Sequence, residues 1–244
     1  MKNQALIVMD SLRFDVFDAA NCPFLKQFHY EKAYTHGTYT LPAHTAFFHG
    51  RLPHTTTQQW GPTFRQWVLD NPESIRGGEY VLGGKNIIEG FSGLGLVTIG
   101  TGAVGWFDTG KPAYIPAIDS FDHYRFFGRH VYAQEQLVWL LGVLKATGSS
   151  PYFLFANFGE THHSYRMLPT DTGTAYGDFD RCFEAQKRCC EYLDEIVAAL
   201  VSFMPNSEIF VTADHGECMG EGGYWGHSIC HEKVLEVPLL KINT

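Results

Sequence analysis

Long uninterrupted apolar runs are missing from this 244-residue sequence. The N-terminus, MKNQALIVMDSLRFD, offers only residues 5–9 before Asp10 intervenes, too short for a secretory signal or a membrane span, and no other segment approaches spanning length. Basic charge is also scarce: 18 Lys and Arg stand against 26 Asp and Glu, a net charge of −8, with no long run of one sign. The basic surface that a phosphate backbone requires is therefore lacking, and neither nucleic acid nor membrane is an expected partner. The six cysteines (Cys22, Cys182, Cys189, Cys190, Cys218, Cys230) contain no CxxC spacing. Without an export signal they read as reduced thiols, and the expected compartment is the cytoplasm. No repeat or linker divides the chain, so residues 1–244 are expected to form one domain. What is abundant is histidine, at 12 residues. A metal or phosphate site is one common reason for such an excess, although any single His is by default a surface or satisfied core residue.

Residues 5–9 form a short, β-branched apolar run that stops at Asp10 and Ser11, the pattern of a buried strand. Two similar runs follow, Tyr152 to Phe158 (YFLFANF) and residues 208–213 (EIFVTA), ending in GETHH and DHGE. Strands buried on both faces and ending in polar residues indicate a mainly parallel sheet with its ligand crevice beyond the carboxyl ends. Residues 94–101 read as a further strand, and 237–242 as an edge strand because Pro238 cannot donate to a ladder. Helical spacing marks 131–147 and 180–203. The expected fold is α/β, a mainly parallel central sheet flanked by helices. The aromatics Phe47, Phe48, Phe126, Phe127 and Trp225, and the pair Cys189-Cys190, are expected to pack.

Three segments carry the chemistry. Asp10, directly after the first strand, is a hard carboxylate ligand for a divalent cation, though Asp and Ser also favour a plain turn or cap. In TLPAHTAFFHGRLP, Thr40 precedes a helix with Pro42 in its first turn and Gly50 as its stop. Its hydroxyl and nearby N–H groups would face an oxyanion in the crevice, the plain reading being a Thr cap. In Asp214-His215-Gly216-Glu217 the adjacent acid and imidazole can ligate one metal, and the glycines that follow let His227 return to the site. Asp122, His123 and His130 read as surface loop residues beside the option of lining the pocket.

DSLRFD, TLPAHTAFFHGRLP, FLFANFGETHHSY and VTADHGE with WGHS, in this order, resemble the alkaline phosphatase superfamily, in its sulfatase-like branch of hydrolases and transferases. The resemblance runs from residue 5 to about residue 240 and implies the alkaline phosphatase-like sandwich. It implies that Asp10, Asp214 and His215 hold a metal and that Thr40, touching that metal, is the nucleophile. It implies that His162 and His227 lie near the transferred group or leaving oxygen, and that His44 and His163 lie on the substrate, His44 standing where sulfatases keep an arginine. Zinc or manganese is the expected ion, since an imidazole replaces an oxygen ligand of the sulfatase calcium site. A second metal is an option at Glu160, His162, His163 and His227, against which adjacent His side chains diverge.

Two departures qualify the resemblance. Thr40 cannot be converted to the formylglycine of sulfatases, so the expected substrate is a small phosphate ester (mono- or diester) or a phosphonate. Residues 100–108 (GTGAVGWFD) offer none of the family's middle cations, and the chain ends soon after VPLLKI, shortened relative to larger members. The alternatives are a phosphomutase and a non-catalytic module that binds metal and oxyanion.

Overall fold

The computed structural model describes residues 2–50, 67–68, 80–81, 85–111, 114–128 and 131–244. Arg51, Leu52 and Pro53 of the second segment, and His130, lie outside the described residues. In chain order the elements are β1 (Asn3–Met9), α1 (Phe14–Ala19), β2 (Tyr30–Tyr34), α2 (Thr40–His49), β3 (Trp67–Val68), β4 (Tyr80–Val81), α3 (Ile87–Gly93), β5 (Val97–Gly102), β6 (His123–Phe126), α4 (Ala133–Thr147), β7 (Tyr152–Phe158), α5 (Phe179–Ser202), β8 (Ser207–Thr212), β9 (Cys218–Met219), β10 (Trp225–Gly226), α6 (Glu232–Leu235) and β11 (Glu236–Asn243). No helix among the described residues is long and apolar enough to cross a membrane.

A seven-stranded sheet of order β2-β11-β8-β1-β7-β5-β6 forms the centre. Strands β8, β1, β7, β5 and β6 are parallel, and β11 runs antiparallel to both β8 and β2. The expected edge position of residues 237–242 is therefore corrected: β2 covers β11 and is itself the edge. Pro238 is accommodated because its carbonyl, which accepts the Thr212 hydroxyl at 2.8 Å, and its nitrogen point to the same side. That side faces β8, whose pairing with β11 begins only at Leu239, so the missing N–H breaks no ladder bond there.

Every residue of β7 is buried, and its side chains alternate between two cores. Tyr152, Leu154, Ala156 and Phe158 join one core with α1, α4 and α5, while Phe153 and Phe155 join the other with α2 and α3. Covered faces on both sides explain why β1 and β7 read as nearly continuous apolar runs rather than alternating ones. Helix α5 buries one stripe, including Cys189, Cys190, Leu193, Val197 and Leu200, and Asp178 caps it through Arg181 N–H. Phe48 is a core residue, and Phe47, Phe126 and Trp225 pack against the cores. The Phe127 ring lies under the Arg125 guanidinium.

The parallel register determines where the chemistry collects. Met9 pairs with Phe158 and Val8 with Thr212, so β1, β7 and β8 end within a residue of one another. Asp10, the 159–163 segment and Asp214-His215 leave the sheet at one edge.

Candidate active site at the carboxyl ends of the central strands

Asp10, Asp214 and His215 are each fully buried, and one ligand atom from each lies within 4.8 Å of the others. They are brought together by backbone contacts across the sheet. Ser11, at a φ of 62°, turns the chain so that its N–H donates to Asp214 Oδ1 at 3.0 Å while its hydroxyl donates to Asp10 Oδ1 at 3.0 Å. The N–H of His215 donates to the same Asp214 oxygen. Asn157 Nδ2, from β7, donates to Asp10 Oδ2. On the outer side of the loops, Gln186 of α5 donates to the carbonyls of Ser11 and Thr161, tying the segments after β1 and β7 to one side chain.

This network leaves selected atoms unused. His215 Nδ1–H donates to the Gly216 carbonyl at 2.9 Å, which places the ring's lone pair on Nε2. That Nε2 and Asp214 Oδ2 have no hydrogen-bond partner, and they lie 3.4 Å apart. Two acceptors at that distance, sealed from water, repel unless a cation or proton sits between them. Burial raises the Asp10 carboxyl, with the Asp214 charge adding to it, and burial pushes Asp214 up to about 6. Burial also pushes His215 down to about 3, so the imidazole is neutral and available as a ligand. The donor set of two carboxylates and one imidazole fits a divalent ion of the first transition row.

Helix α2 reaches this cluster through His44. Thr40 is its first residue, with Tyr39 rather than Thr40 at the cap position, and Gly50 ends it in the left-handed conformation (φ 62°). His44, one turn on from Thr40 and on the same helix face, lies 3.6 Å from Asp214 Oδ2 through Nδ1 and donates that Nδ1–H to the Thr40 carbonyl at 2.9 Å. His44 thus ties α2 to the acid pair, and Thr40, one turn before it, is buried at 2 % exposure. His44 is a residue expected on the substrate. Its ring is fully buried among Phe47, Phe48, Phe107 and Phe155, and burial pushes it down to about 4, so it is a neutral brace in the wall.

The remaining histidines divide. The ring of His227 lies 4.6 Å from that of His215 and 5.3 Å from that of His162, so these two imidazoles flank the metal-type cluster. His163 turns away and stacks on Tyr176 at 3.7 Å, which does not place it on a substrate surface. Glu160 is also turned away: it accepts the Ala133 N–H at the start of α4, and burial pushes it up to about 8. The second-metal option is thus not supported, and among the described residues only Asp10, Asp214 and His215 form a metal-type group. Asp122 is used structurally by Thr98, and His123 is exposed on β6.

Several participants lie in or near the quoted motifs with no role assigned to them there. Glu217 is fully buried and accepts from Tyr165 OH, Tyr176 OH and His227 Nδ1–H. Burial works to raise its carboxyl, but the hydrogen bond and charge of His227 outweigh it and hold it at about 2. The same contact raises His227 against the effect of its own burial. Arg13, 1 % exposed, binds Asp15 with two nitrogens and reaches Glu221 and the Glu217 carbonyl, anchoring the turn that carries Glu217. The only available signal was the acid in DHGE, ten residues before His227.

The chain belongs to the Sulfatase family, whose model matches residues 2–242. It is therefore an enzyme of the alkaline phosphatase superfamily, a hydrolase or transferase of phosphate or sulfate esters. Among solved structures, the C-terminal periplasmic domain of phosphoethanolamine transferase EptC from Campylobacter jejuni is similar at a TM-score of 0.71 and 13% identity, covering 100% of this chain and 79% of that one. The corresponding EptC domain of Escherichia coli, in complex with Zn, gives 0.72 and 13%, covering 100% and 73%. A protein in the alkaline phosphatase superfamily from Vibrio parahaemolyticus gives 0.62 and 14%, covering 100% and 60%. No curated protein matches the chain. The cytoplasmic expectation is corrected by the similar EptC domains, which are periplasmic. The thiols that motivated it are poor witnesses, because five of the six are buried and closed to the redox buffer of any compartment.

Proposed function

We propose that this enzyme is a metal-dependent hydrolase or transferase of phosphate esters, mono- or diesters or phosphonates, with Thr40 as nucleophile. The observation that carries the reading is the unpartnered pair Asp214 Oδ2 and His215 Nε2, 3.4 Å apart beside Asp10, with His44, one turn after Thr40, 3.6 Å from that Asp214 oxygen. Asp10, Asp214 and His215, with Thr40, would hold zinc or manganese; a zinc complex of a similar domain supports the former. Bound there, the ion supplies positive charge beside the Thr40 hydroxyl and the oxygens of the transferred group.

The Thr40 hydroxyl gives up its proton to solvent as its oxygen forms a bond to phosphorus and the bond from phosphorus to the leaving oxygen breaks; the proton is returned to the Thr40 oxygen when the intermediate is resolved. His227 gives a proton to that leaving oxygen, and His162 beside it balances charge on the transferred group. Water or an acceptor alcohol then attacks phosphorus and returns Thr40 to its hydroxyl form. Phosphate is favoured over sulfate because a threonine side chain has no route to the aldehyde that sulfatases use, and the EptC neighbours are named as phosphoethanolamine transferases.

The test is turnover of p-nitrophenyl phosphate, bis(p-nitrophenyl) phosphate and p-nitrophenyl sulfate by zinc- and manganese-loaded protein and by Thr40→Ala. Phosphoester turnover that drops at least ~10³-fold in the variant is expected, as for loss of a nucleophile. Full activity of Thr40→Ala removes the nucleophile assignment, and preferential turnover of the sulfate ester removes the substrate class. Tight oxyanion binding with no turnover would instead favour a binding module.

A further inference from the structure

The strongest feature outside the metal-type cluster is the surrounding of Glu217. Its two oxygens receive three donors: Tyr165 OH on Oε2 at 2.5 Å, and Tyr176 OH and His227 Nδ1–H on Oε1 at 2.8 and 3.1 Å. We propose that Tyr165 and Tyr176 are positioning residues for His227, acting through the Glu217 carboxylate that they clamp. The proposal rests on the assignment of His227 to the leaving oxygen made above.

A lone carboxylate at the end of a flexible stem would let the imidazole it holds swing with it. Here one oxygen is bound by each tyrosine, so rotation about the terminal bond breaks a hydrogen bond in either direction. The rings that carry those hydroxyls are themselves fixed. Tyr165 is buried in the core, while Tyr176 stacks on His163 at 3.7 Å and meets the tilted ring of Trp225 at 5.6 Å. Trp225 stands two residues before His227, and Gly226 between them has a φ of 83° with a would-be Cβ 3.2 Å from the Tyr176 hydroxyl. The backbone leading to His227 is therefore shaped against the same ring that holds its acid.

The geometry also connects the two flanking imidazoles. His162, Tyr165 and Tyr176 leave β7 on one stretch of chain, which thus places His162 directly and His227 indirectly, 5.3 Å apart by ring centroids. With Nδ1 bound to Glu217, the other nitrogen of His227 is the one left for the reacting group. An imidazole held in a single orientation gains rate from alignment rather than from binding.

The experiment uses Tyr165→Phe, Tyr176→Phe and the double variant in the full chain, each alone and combined with His227→Ala. Bis(p-nitrophenyl) phosphate turnover is measured, and the His227 Nδ1 proton is followed by NMR on protein labelled with ¹⁵N at histidine. Each single change is expected to lower kcat about 3- to 10-fold with KM within about twofold, and to cost less than about twofold when His227 is already alanine. The Nδ1 resonance is expected to shift in the double variant while zinc stoichiometry is kept. The proposal is overturned if the Tyr→Phe losses are as large in the His227→Ala background, or if the resonance stays at its wild-type position. The spectroscopic measurement needs no turnover, so it decides the proposal even where the Thr40 assignment fails.

Discussion

Replacing Asp214 by asparagine should make the metal-free protein more stable while abolishing metal binding. Burial lifts the Asp214 carboxyl from an ordinary 3.8 to about 6. A folded pKa raised above the unfolded one penalises folding as pH climbs past the unfolded value, and the penalty is complete above the folded value. At pH 7 it amounts to about 3 kcal/mol, taking about 1.4 kcal/mol for each tenfold change in proton affinity. The amide introduced by Asp214→Asn would keep the oxygen that accepts from Ser11 N–H and His215 N–H. Its new NH₂ would fall where Oδ2 now has no partner, beside Asp10 and the His215 lone pair, turning repulsion into attraction. In urea unfolding with a chelator, Asp214→Asn should gain up to about 3 kcal/mol at pH 7 and much less at pH 4. Zinc should stabilise the wild type strongly and the variant hardly at all. An Asp214→Asn protein no more stable than wild type in chelator, or one stabilised by zinc to the same extent, would refute the view of this cluster as an electrostatically frustrated cation site.

Glu217 has the opposite sign: held at about 2 against an ordinary 4.5, it contributes roughly 3 kcal/mol above pH 4.5 that is lost as pH falls toward 2. Glu217→Gln should thus be less stable than the wild type at pH 5, and the gap between their urea midpoints should narrow as pH falls from 5 to 3. Glu160, pushed up to about 8, stays protonated in the folded protein while the unfolded chain ionises, so it lowers stability as pH rises from 4.5 to 8. Glu160→Gln should flatten that part of the pH–stability curve, and a steeper curve would contradict the burial argument. Gly102→Ala would drive a methyl into the Phe107 ring, which is itself packed on His44 and Phe155 and has nowhere to go. A loss of ~2 kcal/mol is expected by thermal or urea unfolding, as for an overpacked core. Wild-type stability would mean that the aromatic wall behind His44 is looser than described.

Much of the fold was legible because its signals are local. The run YFLFANF coincides with β7, and residues 131–147 and 180–203 match α4 and α5 to within two residues. Apolar length, helical period and a polar stop are properties of neighbours in sequence, and the parallel sheet follows from strands covered on both faces. Residues 237–242 were misplaced at an edge because proline was read without its partner strands; which side its nitrogen faces depends on β8 and β2, which no local pattern contains.

The candidate site divides along the same line. Asp10, Thr40, Asp214, His215, His162 and His227 could be named from strand ends and motif order, since a ligand type at a chain reversal is written in consecutive letters. The contacts that hold them could not. Ser11 and Asp214 are bonded across 203 residues, Arg13 and the Glu217 carbonyl across 204, and Tyr165 and Glu217 across 52. Whether His44 faces substrate or a box of phenyl rings, and whether Glu160 faces a metal or the first turn of α4, was decided by packing between segments far apart in the chain. Amino-acid order specified the elements and the chemical groups at their ends. Which groups touch, which lose their water and which are left without a partner depended on the folded sheet, because burial and pair distance exist only once distant segments share one interior.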